Sequence, residues 1–378
     1  MNILVISHFQ GEGLPTAIFV FDQARAYRKS GADVRILIPV PWGKRDYFGR
    51  RANRRSVETT VDGIRCCFVR YLSLSNPGEP DFNAASAIRA IRSVYDRVFS
   101  DFTPDLIQAH TLGFDSMIGN WLKQRLHCPL VLTTHGSDTS IPYGEGKKDL
   151  LRVFCKGADA IVCVSGKLKR QLADCGVTEP LYVIPNGFHL RNRRNGIPSG
   201  LDWIQVGNLL PQKHVETTLR AFCTFHESYP EAVCRIIGQG PEQKKLETLC
   251  RELGIQDSVR FLGQLENSRV LEEMARSRFF VMVSHPEGFG VAYLEAMSSG
   301  CVTIGTQGEG ISDVIENGVD GFLVPADDAD AVSSIALRCA LDTEYAETIS
   351  RRGIEKALNL TWQENACRNM LVFRNLTE

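Results

Sequence analysis

Short apolar runs recur along the chain, bounded by glycine, proline or polar turns and followed by longer stretches of helical periodicity. In the first half such runs predict strands over 2–7, 33–39, 64–69, 106–110, 129–134, 160–164 and 181–184. Helices are expected over 16–30, 84–99, 114–126, up to 156, and 167–175. Alternation of this kind builds a doubly wound α/β sheet. Pro185-Asn186-Gly187 breaks the pattern, and the polar, non-periodic stretch that follows makes 188–200 the best interdomain linker. The alternation then restarts, with strands from 203 and over 233–237, 259–263, 279–283, 301–305 and 321–324, and helices over 215–227 and 267–276. Two Rossmann-like domains follow from this, over 1–187 and 201–360.

The run 279–283 leads into Ser284-His-Pro-Glu-Gly-Phe-Gly-Val-Ala-Tyr-Leu-Glu-Ala-Met-Ser-Ser-Gly300, read as strand, glycine loop and helix. Such a unit aims free backbone N–H groups and a positive helix end at a ligand above the loop, and phosphate is the usual guest. Gly288 and Gly290 let a ligand approach the backbone, while Glu287 stands in the loop and Glu295 on the helix. With a helix starting near Gly290, Glu295 lies about 7.5 Å further along its axis. Lys213, just ahead of the 215–227 helix, adds an ammonium to a second strand-end loop, and Gly238-Gln-Gly240-Pro241 opens a third. His135 ends the 129–134 strand, where side chains reach the ligand crevice of an open sheet.

At 378 residues, with 43% apolar and 23% charged residues, the chain is a globular protein of about two domains. The first residues lack the basic region and apolar core of a signal peptide, and no run approaches the ~18 residues of a membrane span, so a cytoplasmic location is expected. Twelve cysteines without a Cys-x-x-Cys pair read as buried free thiols. The net charge of −1 hides an asymmetry: residues 1–190 hold 24 Lys+Arg against 18 Asp+Glu, and 191–378 hold 19 against 26. The first half is therefore the side expected to meet something acidic. Its basic stretch 42–56, with Arg50, Arg51, Arg54 and Arg55, reads as a surface loop and as a candidate landing site for a phosphate-bearing acceptor or an anionic membrane surface. Sparse aromatics there argue against nucleic acid. Gly11 and Gly13, followed by Pro15, miss the third glycine of the dinucleotide fingerprint. No His/Asp ligand cluster predicts a metal.

Taken together, Val206-Gly207-x5-Lys213, Gly238-x-Gly240-Pro241, Arg260-Phe261-Leu262-Gly263, Glu287-Gly-Phe-Gly-x4-Glu295 and Asp320-Gly321-Phe-Leu-Val324 resemble the retaining nucleotide-sugar glycosyltransferases of the family 4 type. The early glycine loop, His135-Gly136-x-Asp138 and Ile184-Pro185-Asn186-Gly187 extend the likeness over nearly the whole chain. The layout is also similar to bacterial surface-polysaccharide transferases, the teichuronic-acid type among them. The resemblance implies a GT-B fold, two Rossmann-like domains facing across a cleft, with the helix 361–378 packing back toward the first. It implies that Lys213 binds the donor diphosphate, Glu295 the ribose, and the backbone at Phe261, Leu262 and Gly263 the base. Gly207, Asn208, Gly238, Gly240, Gly288, Phe289 and Gly290 would line the donor, with Gly11 and Gly13 bordering the diphosphate. Glu287 and His135 would reach the donor sugar, making His135, Glu287 and Lys213 the candidate catalytic set.

The implied reaction moves a sugar from a nucleoside diphosphate sugar, a UDP-sugar being the commonest family choice, to a hydroxyl of a saccharide or lipid-linked acceptor. It needs no metal or other cofactor, and a peripheral position on the inner face of the plasma membrane suits a lipid-linked acceptor. Two departures stand out: Asn208 replaces the family's usual arginine, and His214 its glycine. A guanidinium clamp on phosphate is thereby lost. A non-catalytic sugar-nucleotide-binding subunit and a GT-B relative such as an epimerase are the alternatives.

Overall fold

The computed structural model describes residues 1–8, 17–42, 56–73, 80–190 and 196–378. The chain divides into two compact units, Met1–Gly187 with Trp362–Glu378, and Phe188–Thr361.

Among the described residues of the first unit, eight strands form one sheet: β1 (Asn2–Ile6), β2 (Asp33–Trp42), β3 (Ser56–Val61), β4 (Ile64–Leu72), β5 (Leu106–Ala109), β6 (Leu130–Thr134), β7 (Ala160–Cys163) and β8 (Leu181–Val183). Their order is β3-β4-β2-β1-β5-β6-β7-β8, and every pair but β3–β4 is parallel. The winding reverses at β1, where Ile3 pairs with Val34 on one side and Leu106 on the other. A crevice at the carboxyl ends of β1 and β5 is the consequence.

The second unit holds β9 (Trp203–Val206), β10 (Cys234–Ile237), β11 (Val259–Gly263), β12 (Phe279–Met282), β13 (Val302–Thr306) and β14 (Phe322–Val324), all parallel in the order β11-β10-β9-β12-β13-β14. Its switch point lies between β9 and β12. The core gathers on Trp203, fully buried and within 5.2–5.6 Å, centroid to centroid, of Phe222, Phe225 and Phe279.

The C-terminal helix Trp362–Thr377 belongs to the first unit's core. Phe373 packs on Tyr27 of the helix Ile18–Lys29, ring centroids 5.5 Å apart. Beneath that contact runs a buried amide relay. Gln108 Nε2 donates to Thr133 Oγ1 at 2.9 Å and to Gln23 Oε1 at 3.2 Å. Gln23 Nε2 donates to Asn365 Oδ1 at 2.7 Å, and Asn365 Nδ2 to the Pro185 carbonyl at 2.6 Å.

Several expectations are corrected. The 188–200 segment, expected as the interdomain linker, begins at the boundary between the units and is tied to the second: Phe188 is buried and bridges Thr361, and the Arg278 guanidinium donates to the carbonyls of Pro198, Ser199 and Gly200. Residues 191–195 lie outside the described residues. The single helix expected over 84–99 is two, Pro80–Arg92 and Tyr95–Val98, because Val94 at φ −125° leaves helical geometry. The helix expected up to 156 is also split, into Ser137–Gly144 and Lys148–Cys155, around Gly146 at φ +72°. The polar edge strand β3 carries no apolar alternation and was not expected.

Ten of the twelve free cysteines are buried. Burial pushes the thiols of Cys66, Cys67 and Cys163 up to about 12. Among the described residues no helix is long and apolar enough to cross a membrane.

Phe373→Ala empties a fully buried site between two helices and is expected to destabilise the first unit by about 3–5 kcal/mol. The urea midpoint, followed by far-UV circular dichroism, measures it.

Candidate active site

In the second unit the strand-end loops lie against one another backbone to backbone, and glycines make this contact possible. A Cβ on Gly238 (φ +137°) would collide with the Gly207 carbonyl, and one on Gly240 with the backbone of Leu209. The loops after β9 and β10 are stitched by Gly207 N–H to the Ile237 carbonyl and Leu209 N–H to the Gln239 carbonyl, both 2.9 Å. Over Gly207 passes the stem of Lys213, which leaves the short 3-10 turn Pro211–Lys213. Its ammonium ends 2.5 Å from Glu287 Oε2, with 20% and 15% of the two side chains exposed. Glu287 Oε1 also accepts its neighbour Gly288's N–H at 3.2 Å. Asn208 is exposed.

Glu287 sits in the loop between β12 and the helix Val291–Ser298, whose N-cap is Gly290 at φ +79°. A side chain at 290 would strike the Tyr293 ring. Phe289 is buried, so this position offers a ligand only its backbone. Glu295 lies one turn into that helix, half-buried, and accepts Asn267 Nδ2 at 2.9 Å. Asn267 opens the helix Asn267–Met274 that follows β11, and Phe261 and Leu262 are half-buried at the end of that strand. The structure thus joins Lys213 to Glu287 directly and gives Glu295 a different neighbourhood.

Two residues at this site were not singled out from the sequence. Asn267 holds Glu295. Glu309, in the loop after β13, is 3% exposed and accepts both His285 Nδ1–H at 2.9 Å and the Glu287 backbone N–H. An acid between Gly308 and Gly310 at a strand end was the available signal.

In the first unit His135 follows β6. Its Nε2 lies 3.0 Å from His110 Nδ1, the two rings stack at 13°, and Phe19 covers it at 4.5 Å. Asp138 locks the turn beneath it by accepting from Leu112 N–H, Thr134 Oγ1–H, His135 N–H and Gly136 N–H at 2.9–3.1 Å. Burial still raises the Asp138 carboxyl, against those four bonds. At the end of β1, His8 Nδ1 contacts the fully buried Asp115 at 3.0 Å, and Thr111 Oγ1 donates to the same carboxylate oxygen at 2.9 Å. A cavity of about 930 Å³ opens here, lined by His8, Tyr71, Phe114, Ile141, Leu150 and Phe154 among others. His8, Thr111 and Asp115 were not predicted; a polar residue just past an apolar strand was their only trace. Gly11, Gly13, Arg50, Arg51, Arg54 and Arg55 lie outside the described residues.

A family model for glycosyl transferases group 1 matches residues 194–356, and one for Glycosyltransferase Family 4 matches 16–192. An uncharacterized glycosyltransferase of Methanocaldococcus jannaschii is 26% identical over 275 residues, covering 72% of this chain and 76% of that protein. Sucrose-phosphate synthase from Thermosynechococcus elongatus has a similar structure, with a TM-score of 0.78 at 19% identity over 99% of this chain and 98% of that one. Anabaena HepE, solved in complex with UDP, gives 0.75 at 18% identity over the whole of both chains.

Two measurements test this geometry. Lys213→Met leaves a largely buried carboxylate unpaired, whereas Lys213→Met with Glu287→Gln removes both charges. A double-mutant cycle in urea is expected to return about 1–3 kcal/mol of coupling. The second concerns pH. Burial pushes the His135 pKa down to about 3, and burial together with His135 pushes that of His110 well below its ordinary value. In the unfolded chain both bind a proton near pH 6.5. The unfolded state thus holds more protons below that pH, and stability falls as the pH drops from about 6.5 toward 3, by up to about 1.4 kcal/mol per unit for each histidine. His8 has the opposite sign: burial pulls it down, but Asp115, with Asp138 beside it, raises it on balance, so its contribution is lost as pH rises. Replacing His110 and His135 together by Asn is expected to flatten the acid limb of a stability profile from pH 7 to 4.5.

Proposed function

Since the chain belongs to the GT-B glycosyltransferases of the family 4 type, we propose that it transfers a sugar from a nucleoside diphosphate sugar, UDP-linked in the first instance, to an acceptor hydroxyl with retention at the anomeric carbon. The observation that carries this reading is the Lys213–Glu287 pair, set where the second sheet's winding reverses and beside the N-terminus of Val291–Ser298. Departure of the nucleoside diphosphate concentrates negative charge on its phosphates. An ammonium and fixed backbone N–H groups in a partly dry site stabilise that charge as it develops. Lys213 turns to the diphosphate when the donor arrives, and Glu287, released from it, meets the donor sugar's hydroxyls. Glu295, oriented by Asn267, takes the ribose, and the backbone around Phe261 to Gly263 takes the base.

In this scheme the acceptor oxygen bonds to the anomeric carbon on the face from which the phosphate oxygen leaves, and the acceptor's proton passes to the departing diphosphate. No step asks for a metal ion. His135, neutral near pH 7, offers a hydrogen-bonding group rather than a cation at the carboxyl ends of the first unit's strands. The acceptor fits the first unit's cavity, where Tyr71 and Phe114 offer ring faces to a sugar and Ile141, Leu150 and Phe154 an apolar wall to an aglycone or lipid. An acceptor of this mixed character belongs to surface-polysaccharide or glycolipid assembly. The basic 42–56 stretch would bring the enzyme to an anionic inner membrane face.

Transfer from UDP-glucose or UDP-N-acetylglucosamine, assayed in EDTA with product anomers assigned by NMR, tests the scheme. A retained linkage unaffected by chelation is expected, with Lys213→Ala lowering kcat by about 10²–10³. An inverted linkage or a chelator-sensitive rate overturns it.

A further inference from the structure

Glu309 is distant from the donor residues in sequence and touches the loop that carries one of them. Its carboxylate is 3% exposed. One oxygen accepts the Glu287 backbone N–H, and the other accepts His285 Nδ1–H at 2.9 Å. His285 in turn donates its own backbone N–H to the Gln212 carbonyl at 2.8 Å, inside the turn that presents Lys213. Gln205 Nε2 donates to the Lys213 carbonyl at 2.9 Å and fixes the other side of that turn. On the β13 side, Gly310 N–H points at the Glu287 carbonyl at 3.5 Å, and a Cβ at 310 would collide with the Gly288 carbonyl. Backbone contact between the two loops is therefore as close as sterics allow.

These bonds form one frame. From Glu309 it runs through His285 to the Lys213 turn, and through the 287 amide to the Glu287 side chain. In the ligand-free protein the Lys213–Glu287 ion pair also helps hold the loop. Once an anionic donor draws Lys213 away, that pair no longer fixes Glu287, and the ties to its backbone become the restraint that remains.

We propose that Glu309 is a positioning residue: its buried carboxylate clamps the 285–288 loop so that Glu287 keeps its place when Lys213 engages the leaving diphosphate. This rests on the donor-site reading given above. The clamp acts through hydrogen-bond acceptance at two points, not through charge delivered to substrate. Glutamine can reproduce it, because its amide oxygen accepts the 287 N–H and its amide nitrogen donates to the other tautomer of His285. Alanine reproduces neither bond. A displacement of the reacting groups by about 1 Å is enough to lower a rate on the order of 10²-fold.

The test compares wild type, Glu309→Ala, Glu309→Gln and His285→Ala. Affinity for whichever of UDP, GDP and ADP wild type binds is measured by calorimetry, and turnover by release of that nucleotide from its glucose or N-acetylglucosamine ester with octyl glucoside as acceptor. Glu309→Ala is expected to lose about 10–100-fold in kcat while nucleotide affinity stays within about 2-fold. Glu309→Gln should recover to within about 3-fold of wild type, and His285→Ala, which removes one exposed arm of the clamp, should lose a few-fold in kcat with affinity kept. The inference is overturned if Glu309→Ala turns over like wild type, if its nucleotide affinity falls in step with kcat, or if Glu309→Gln is as slow as alanine. Should Glu309→Ala fail to fold, unchanged kcat in His285→Ala overturns it equally. Wild type that binds none of the three nucleotides sinks the underlying donor-site reading as well, whereas active wild type with an indifferent Glu309→Ala sinks this inference alone.

Discussion

Burial of parallel strands on both faces is the constraint from which the rest of this structure follows. β6 and β13 are buried at every position, as are β5, β7 and β12. Strands of this kind carry no polar side to offer a ligand, and helices must cover both faces. Polar chemistry is then confined to the rims, and a parallel sheet has one rim where all carboxyl ends gather. His8, His110 and His135 each stand within two residues of a strand end in the first unit. Gly207 and Gly238 do the same in the second, with Ser284 to Glu287 just beyond β12. The candidate groups collect there because the fold leaves them nowhere else to go.

Several polar groups that enter the first unit's core are tied to one another. The relay from Thr133 through Gln108, Gln23 and Asn365 to the Pro185 carbonyl crosses beneath the sheet's first helix to the last helix of the chain. A buried amide without a partner costs about 1–3 kcal/mol. Gln23 and Asn365 therefore specify each other across 342 positions of sequence. The apolar contact of Tyr27 with Phe373 supplies attraction between those helices, and the amides supply register.

What could be read in advance tracks how local each signal is. Apolar runs and turn glycines are local, and they placed every strand of the two sheets except β3, and the loop–helix unit at 284–300. Lys213, Glu287 and Glu295 could be named as candidates because spacing within short blocks marks them. Glu309 and Asn267 were not, since each acts through a hydrogen bond to a residue 22 or 28 positions away and no pattern along the chain records that pairing. The His8–Asp115 pair is separated by 107 positions, with the same effect. The edge strand β3 was missed for another reason: its residues Glu58, Thr59 and Thr60 are exposed, so backbone pairing with β4 makes the strand without an apolar face to announce it. Val94 shows the limit of periodicity from the other side, where one residue at φ −125° interrupts a helix that the apolar spacing would have continued.

The glycines of the second unit change what its motif means. Gly238, Gly240 and Gly310 each face backbone of another loop so closely that a methyl group would collide, and Gly290 faces the Tyr293 ring. Their first role is to let four strand-end loops pack edge to edge in two pairs, those after β9 and β10 and those after β12 and β13. That packing brings the Lys213 stem across Gly207 and its ammonium to Glu287, and it leaves the β13 loop near enough for Glu309 to hold the same loop from behind. A lysine and a glutamate on unrelated loops meet at 2.5 Å only because the backbones beneath them touch. The pair keeps two largely buried charges mutually neutralised, and the His285 N–H bond to the Gln212 carbonyl ties together the two loops that carry them.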